Sequence, residues 1–204
     1  MPNLIEEVTS NHGSPLNLQK VLVVGAILLL VSGIILWFQS RHFTTIFVSN
    51  VRSSKQLLIG LLIGVGMAVT GVAVIYLSVR ARNYARTLFG RVPGLSSALA
   101  MSVIAGFAEE IFFRATLQPI IGLWAASVLF MLVHSGHGSF DGARVIYLLF
   151  VFSYGMLLGY VYMSFGLVAA ITAHAVFDLV CLIALRLMSV WDSDAEEWYE
   201  SGMA

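Results

Sequence analysis

The chain has 204 residues, 59% of them hydrophobic and 11% charged, with zero formal net charge and a mean hydropathy of +0.90. A soluble domain carries about 25% charged residues, so the composition excludes an ordinary soluble globule, and the absence of a basic excess excludes a nucleic-acid partner. The single cysteine, Cys181, excludes an internal disulfide framework and a Cys-rich metal site. What remains is an all-α, polytopic membrane helix bundle of about six transmembrane helices.

Residues 1–20 form a polar N-terminal tail. Glu6 and Glu7 precede the only basic residue, Lys20, which is unlike the positive start of a secretory signal. The first apolar run, Val21–Phe38, has no A-x-A cleavage pattern and is expected to stay as a span. The second, Gln56–Val79, carries Gly60, Gly64, Ala68 and Gly71 at roughly one-turn spacing, a face that lets two helix backbones approach closely. Residues 21–94 are thus two spans followed by a basic interfacial segment, "RARNYARTLFGR", read as a positive-inside anchor.

Residues 95–188 hold four more predicted helices. The third span covers Leu95–Leu117, and Pro119 and Gly122 break the chain after it. The fourth, Leu123–His134, is short for a full crossing unless it begins near Ile120 or is shielded by protein. "SGHGSFDG" is a loop signal. The fifth span, Val145–Met163, has a second small-residue face at Gly155 and Gly159. The sixth covers Leu167–Met188. Residues 189–204 read as an acidic, solvated C-terminal tail. Trp37, Trp124 and Trp191 fall near span ends, as an interfacial aromatic belt requires.

With six spans, Lys20, Arg80, Arg82, Arg86, Arg91, Arg144 and Arg186 share one side, against Arg41, Arg52 and Lys55 on the other. That asymmetry puts both termini in the cytoplasm.

One stretch breaks the hydrocarbon pattern. "AEEIFFRATL", Ala108–Leu117, sets Glu109, Glu110 and Arg114 inside the third span, where each ionisable group costs about 2.5–3.5 kcal/mol on insertion scales. Glu110 and Arg114 are i and i+4 with the acid first, the favourable order for a pair. On an α-helix Arg114 lies about 40° around from Glu110 but about 140° from Glu109. Glu109 is therefore left without a local partner.

Two other spans offer partners. "FMLVH" puts Phe130 and His134 on one face, and "HAVFD" puts His174 and Asp178 at i and i+4. Glu109 is expected to face both imidazoles across a small wet pocket. A depth count at about 1.5 Å per residue, taken across a core of about 30 Å, fits this poorly. It sets Glu109 roughly 21 Å, His174 roughly 16 Å and His134 roughly 9 Å from the cytoplasmic face. Side-chain lean narrows the gap, and helix tilt is required for the rest. Cys181, seven residues after His174, is read as a small apolar wall residue. His12, His42 and His137 fall in predicted loops and receive no chemistry.

These three motifs, EExxxR at Glu109–Arg114, FxxxH at Phe130–His134 and Hxxx(N/D) at His174–Asp178, occur in order, each in its own hydrophobic span. Over about Leu95–Met188 the chain resembles the CPBP (Abi) family of intramembrane proteases, which includes the CAAX prenyl endopeptidases. The resemblance implies an endopeptidase acting on a peptide or lipidated protein substrate among membrane lipids, in an integral protein expected in a bacterial plasma membrane. It implies a catalytic set of Glu109, Glu110, Arg114, His134, His174 and Asp178. Glu109 would activate water with His134 beside it, Glu110 and Arg114 would support it, and His174 with its i+4 partner would steady the oxyanion.

Asp178 departs from the Asn usual in CAAX endopeptidases. An ionised Asp accepts hydrogen bonds and cannot donate one to an oxyanion. Either a protonated Asp178 donates, or Asp178 orients His174 and His174 donates alone. The resemblance favours a metal-free, glutamate-type mechanism with no cofactor, and the chain lacks HExxH. A Zn²⁺ held by Glu109, His134 and His174 is the alternative. Two other functions stand beside the protease: a proton-coupled transporter using the same groups as a relay, and a non-catalytic bacteriocin self-immunity or scaffold protein.

Overall fold

The computed structural model describes residues 18–77, 94–135 and 142–200. The expectations for residues 1–17, the basic segment at 80–91, His12 and His137 concern residues outside these. The described chain is helical, with no strand among the described residues. Its elements are α1 (Leu18–Phe38), a 3₁₀ turn (Phe43–Phe47), α2 (Ser53–Leu77), α3 (Leu95–Glu110), a π-helical segment (Ile111–Leu117), α4 (Gln118–Val133), α5 (Gly142–Phe165) and α6 (Leu167–Glu200). Five helical runs among the described residues are long and apolar enough to cross a membrane. The protein is an integral membrane helix bundle.

The distribution of residue types is inverted relative to a soluble protein. In α1 the buried positions are Gly25, Ser32 and Leu36, while Leu22, Ile27, Leu30 and Ile34 face outward. Hydrocarbon outside and small or polar groups inside is what a lipid solvent selects. The small-residue face of α2 does what its spacing predicts. Gly60 and Gly64 lie against the backbone of α6, where an added Cβ would sit 2.5 Å from the Ala169 carbonyl and 2.7 Å from the Ala173 carbonyl. On α5, Gly155 packs on Ser127 and Phe130 of α4, and Gly159 packs on Gln118 and Leu123.

The expected third and fourth spans are joined in one helical run, Leu95–Val133, that breaks at Gly122, where the sequence marked a break. The run is not straight. Twenty-four intervening residues of ideal helix would hold Glu109 and His134 roughly 37 Å apart, yet their side chains meet at 3.4 Å. The fold-back occurs at Gly122, with φ 81° and ψ 166°. That region of backbone space is essentially open to glycine alone. Gly122 lies 13 residues after Glu109 and 12 before His134, so a hairpin centred there sets the two residues level. The depth count failed because it placed His134 from a fixed far plane; the register of the hairpin is what counts.

The π-segment also departs from the α-geometry assumed from sequence. Thr116 Oγ1 donates to the Ile111 carbonyl, five residues back, at 2.9 Å. Pro119 has no N–H to offer the Ala115 carbonyl four residues earlier. Arg41, from the connection after α1, fills that role: its Nη1 donates to Ala115 O at 3.0 Å. Gln39 Nε2 donates to Thr116 O at 3.4 Å. A residue counted as a loop charge thus secures the helix that carries the acidic pair.

α5 and α6 are joined by the single residue Gly166, with φ 108°. α6 does not end at Met188 but continues to Glu200, through a stretch with no Gly or Pro after Leu167. Trp37 and Trp124 are both largely exposed near the Gly122 end of the bundle, where a lipid–water boundary would take their rings.

Candidate active site

Glu109 and Glu110 close α3 just before the π-segment. Successive helical residues point about 100° apart, so the two carboxylates enter different surroundings. Glu110 is fully buried and bridges two cations or potential cations. Its Oε2 accepts from Arg114 Nε at 3.1 Å, and its Oε1 meets His174 Nδ1 at 2.8 Å. On the other side of the ring, His174 Nε2 lies 3.5 Å from Asp178 Oδ2. The result is a line of groups, Arg114–Glu110–His174–Asp178, running from the π-segment across to α6.

Glu109 belongs to a second, more open pair. Its Oε2 lies 3.4 Å from His134 Nε2, with the two side chains 17% and 30% exposed. That distance is long for a hydrogen bond, and Glu109 Oε2 has no hydrogen-bond partner among the described residues. The ring is aimed from behind: His134 Nδ1 is 2.8 Å from the Phe130 carbonyl. A donor at Nδ1 leaves Nε2 as an acceptor toward Glu109 in the neutral ring, or as a donor in the imidazolium.

Phe130 organises both groups. Its ring centroid is 4.3 Å from that of His134, 6.0 Å from that of His174 and 5.0 Å from the Arg114 guanidinium carbon. The aromatic face holds the cation on one side and spaces the imidazoles. Phe130 therefore supports the residues around it by packing.

The structure thus gathers all six sequence-selected residues, with Glu110 on Arg114 and Glu109 beside His134 as expected, and only the second imidazole departs. His174 is bound to Glu110, while Glu109 pairs with His134. His42 caps the 3₁₀ turn and takes no part; its carbonyl accepts from Thr45. Cys181 is a buried free thiol in a cavity wall.

That cavity has a volume of about 530 Å³ and includes Glu109, His134, His174 and Asp178 in its lining. Most of the rest is hydrocarbon and aromatic, from α1, α2, α3, α5 and α6. Its wall runs from the polar cluster to Lys20 at the start of α1 and to Leu185 on α6. An apolar chamber ending in carboxylates and imidazoles suits a hydrophobic ligand with one reactive polar group.

The donors do not fit a metal centre. Among the described residues no group of three or more His, Cys, Asp or Glu is placed to hold an ion, and both nitrogens of His174 already face carboxylates.

Sequence reasoning missed three contributors: Arg41, the organising role of Phe130, and Tyr154, whose ring enters the cavity from α5. Arg41 was findable from Pro119, which must leave a carbonyl in need of a donor. Tyr154 lies in no charged motif and carries no spacing signal.

Fold and site together define an integral membrane bundle with a carboxylate–imidazole cluster inside an apolar chamber. Residues 91–180 match the family described as type II CAAX prenyl endopeptidase Rce1-like. The resemblance to the CPBP, or CAAX protease-like, family is thereby shown for this segment, which contains all six selected residues. A relative, "Uncharacterized protein YpbD" of Bacillus subtilis (strain 168), is 33% identical over 102 residues, covering 50% of this chain and 52% of that protein. The chain thus spans about half the length of that relative. No solved structure matches it.

Proposed function

We propose that the protein is an intramembrane endopeptidase that hydrolyses a peptide bond of a peptide or lipidated protein with water activated by Glu109 and His134. One observation carries this reading: a carboxylate with an unpartnered oxygen lies 3.4 Å from an imidazole at the wall of an apolar chamber. The family match over residues 91–180 supports the same class of chemistry.

Hydrolysis needs a base for water, a donor for the oxyanion and a proton for the leaving amine. Glu109 accepts a proton as the water oxygen attacks the scissile carbonyl carbon. His134, fixed by the Phe130 carbonyl, orients that water. The carbonyl π electrons move to oxygen and give the tetrahedral oxyanion. His174 in its imidazolium form keeps Nδ1–H on Glu110 and shares Nε2–H, held only loosely by Asp178 at 3.5 Å, with the oxyanion. Collapse expels the amine, which takes the proton carried by Glu109. Arg114 and Glu110 hold the imidazole in place and do not touch substrate. Asp178 acts by orienting His174, so no protonated Asp178 is needed.

The chamber lies at the end of the bundle that holds Lys20 and Arg186, the side the charge asymmetry assigns to the cytoplasm. We place both termini there, in a bacterial plasma membrane, with cleavage near the cytoplasmic leaflet. Substrates would be hydrophobic or lipidated peptides presented from the bilayer.

The test uses the purified protein in proteoliposomes with an internally quenched prenylated peptide and its unprenylated counterpart. The wild-type chain cleaves at least one, and Glu109→Gln abolishes cleavage while melting as the wild type does. Full activity of Glu109→Gln would end the endopeptidase reading. Substrate flux without cleavage would favour the transporter, and toxin protection unaffected by Glu109→Gln would favour the immunity protein.

A further inference from the structure

Lys20, Tyr147 and Cys181 line other parts of the chamber, and around the carboxylate–imidazole cluster it is rich in acceptors and poor in donors. Glu109 and Asp178 line it and Glu110 lies behind His174, so the carboxylates together offer an oxyanion nothing when ionised. Ser102 also lines it, but its hydroxyl donates to the Ala98 carbonyl at 2.8 Å. His134 Nε2 faces Glu109 Oε2 at 3.4 Å, on the side where the attacking water is held. His174 therefore supplies one donor, where a preorganised oxyanion site gains from two.

Tyr154 has the missing donor. It lies on α5, lines the same cavity and is 4% exposed. Its hydroxyl oxygen is buried and has no hydrogen-bond partner among the described residues. A buried, unpaired hydroxyl carries an uncompensated desolvation cost, and a phenylalanine would pack the ring without that penalty. The ring itself is fixed. It lies 4.4 Å from Phe177, 6.2 Å from Phe130 and stacked 6.5 Å from Phe150, all centroid to centroid. It meets His174 edge to face at 5.5 Å and 84°. One side chain thus sets a rigid phenol beside the imidazole that faces the oxyanion.

We propose that the Tyr154 hydroxyl donates the second hydrogen bond to the oxyanion beside His174, a catalytic role that rests on the endopeptidase reading. The phenol keeps its proton throughout; it donates a hydrogen bond as charge develops on the substrate oxygen and returns to neutral contact when the intermediate collapses. Tyr154 thereby offsets the donor that Asp178 does not provide.

The experiment compares wild type, Glu109→Gln and Tyr154→Phe in proteoliposomes with the internally quenched prenylated peptide. Tyr154→Phe keeps the ring packing and removes the unpaired hydroxyl, so its melting temperature should match or exceed that of the wild type. Its kcat should fall about 10²–10³-fold, the loss expected for one oxyanion donor, with KM unchanged. Two results overturn the inference and leave the endopeptidase standing: wild-type kcat in Tyr154→Phe while Glu109→Gln is inactive, or a loss carried wholly by KM. Absence of Glu109-dependent cleavage by the wild-type chain overturns both.

Discussion

Glu109 and Glu110 are chemically identical neighbours, yet they occupy two different regions of the molecule. Glu110 sits in a sealed line with Arg114 and His174, every group at or near zero exposure. Glu109 sits in an open pair with His134 on a chamber wall. In the first region each Glu110 oxygen has a close partner, though Arg114 Nη1 and Nη2 have none among the described residues. The second keeps an oxygen free. One residue of helical rotation separates a structural anchor from a group available for chemistry, and adjacency in sequence says nothing of which is which.

The sharpest way to break this comparison is to neutralise each acid in turn. Glu109→Gln should lower turnover about 10²–10⁴-fold, the range for a general base, with no shift in thermal melting. Equal losses of stability from both acids would erase the distinction. Glu110→Gln and Arg114→Met should do the opposite. Each leaves a buried charge without its partner, which costs about 3–5 kcal/mol, read as a lowered melting temperature in detergent or poor recovery of folded protein. Arg41→Met probes the support of the sealed region from outside. It removes a charge-assisted bond to Ala115 O and should cost about 1.5–3 kcal/mol, with activity falling only as far as folded protein does. The smallest expected effect is at the hinge. Gly122→Ala strains a backbone reserved for glycine by about 1–3 kcal/mol, and accelerated proteolysis around residue 122 should reveal it.

The sealed region was largely legible from sequence. Glu110 and Arg114 announce themselves by i, i+4 spacing within hydrocarbon, and the EExxxR, FxxxH and Hxxx(N/D) motifs name all six residues. The carboxylate partner of His174 was not legible. Which carboxylate His174 meets depends on how α6 rotates against α3, and Gly106 governs that contact: an added Cβ there would lie 3.1 Å from Ala175 N and 3.2 Å from Ile171 O. The π-segment was invisible too, because Ile111–Leu117 has an unremarkable helical composition. Tyr154 escaped because a tyrosine among Phe150, Phe152 and Tyr160 reads as membrane aromatics. Its unpaired hydroxyl exists only in three dimensions.

The fold-back at Gly122 carries a consequence for how this sequence can change. Its two arms, Glu109 to Gly122 and Gly122 to His134, work as a ruler with matched scales. Removing one residue from either arm slides the opposing side chains by about 1.5 Å and swings one of them by about 100°, enough to separate Glu109 from His134. Chain length in the 39–52 connection is held by separate contacts, Arg41 on Ala115 O and Ser49 on Phe165 O. Between residues 109 and 134 it is bound to the hinge, and an insertion on one side demands its counterpart on the other.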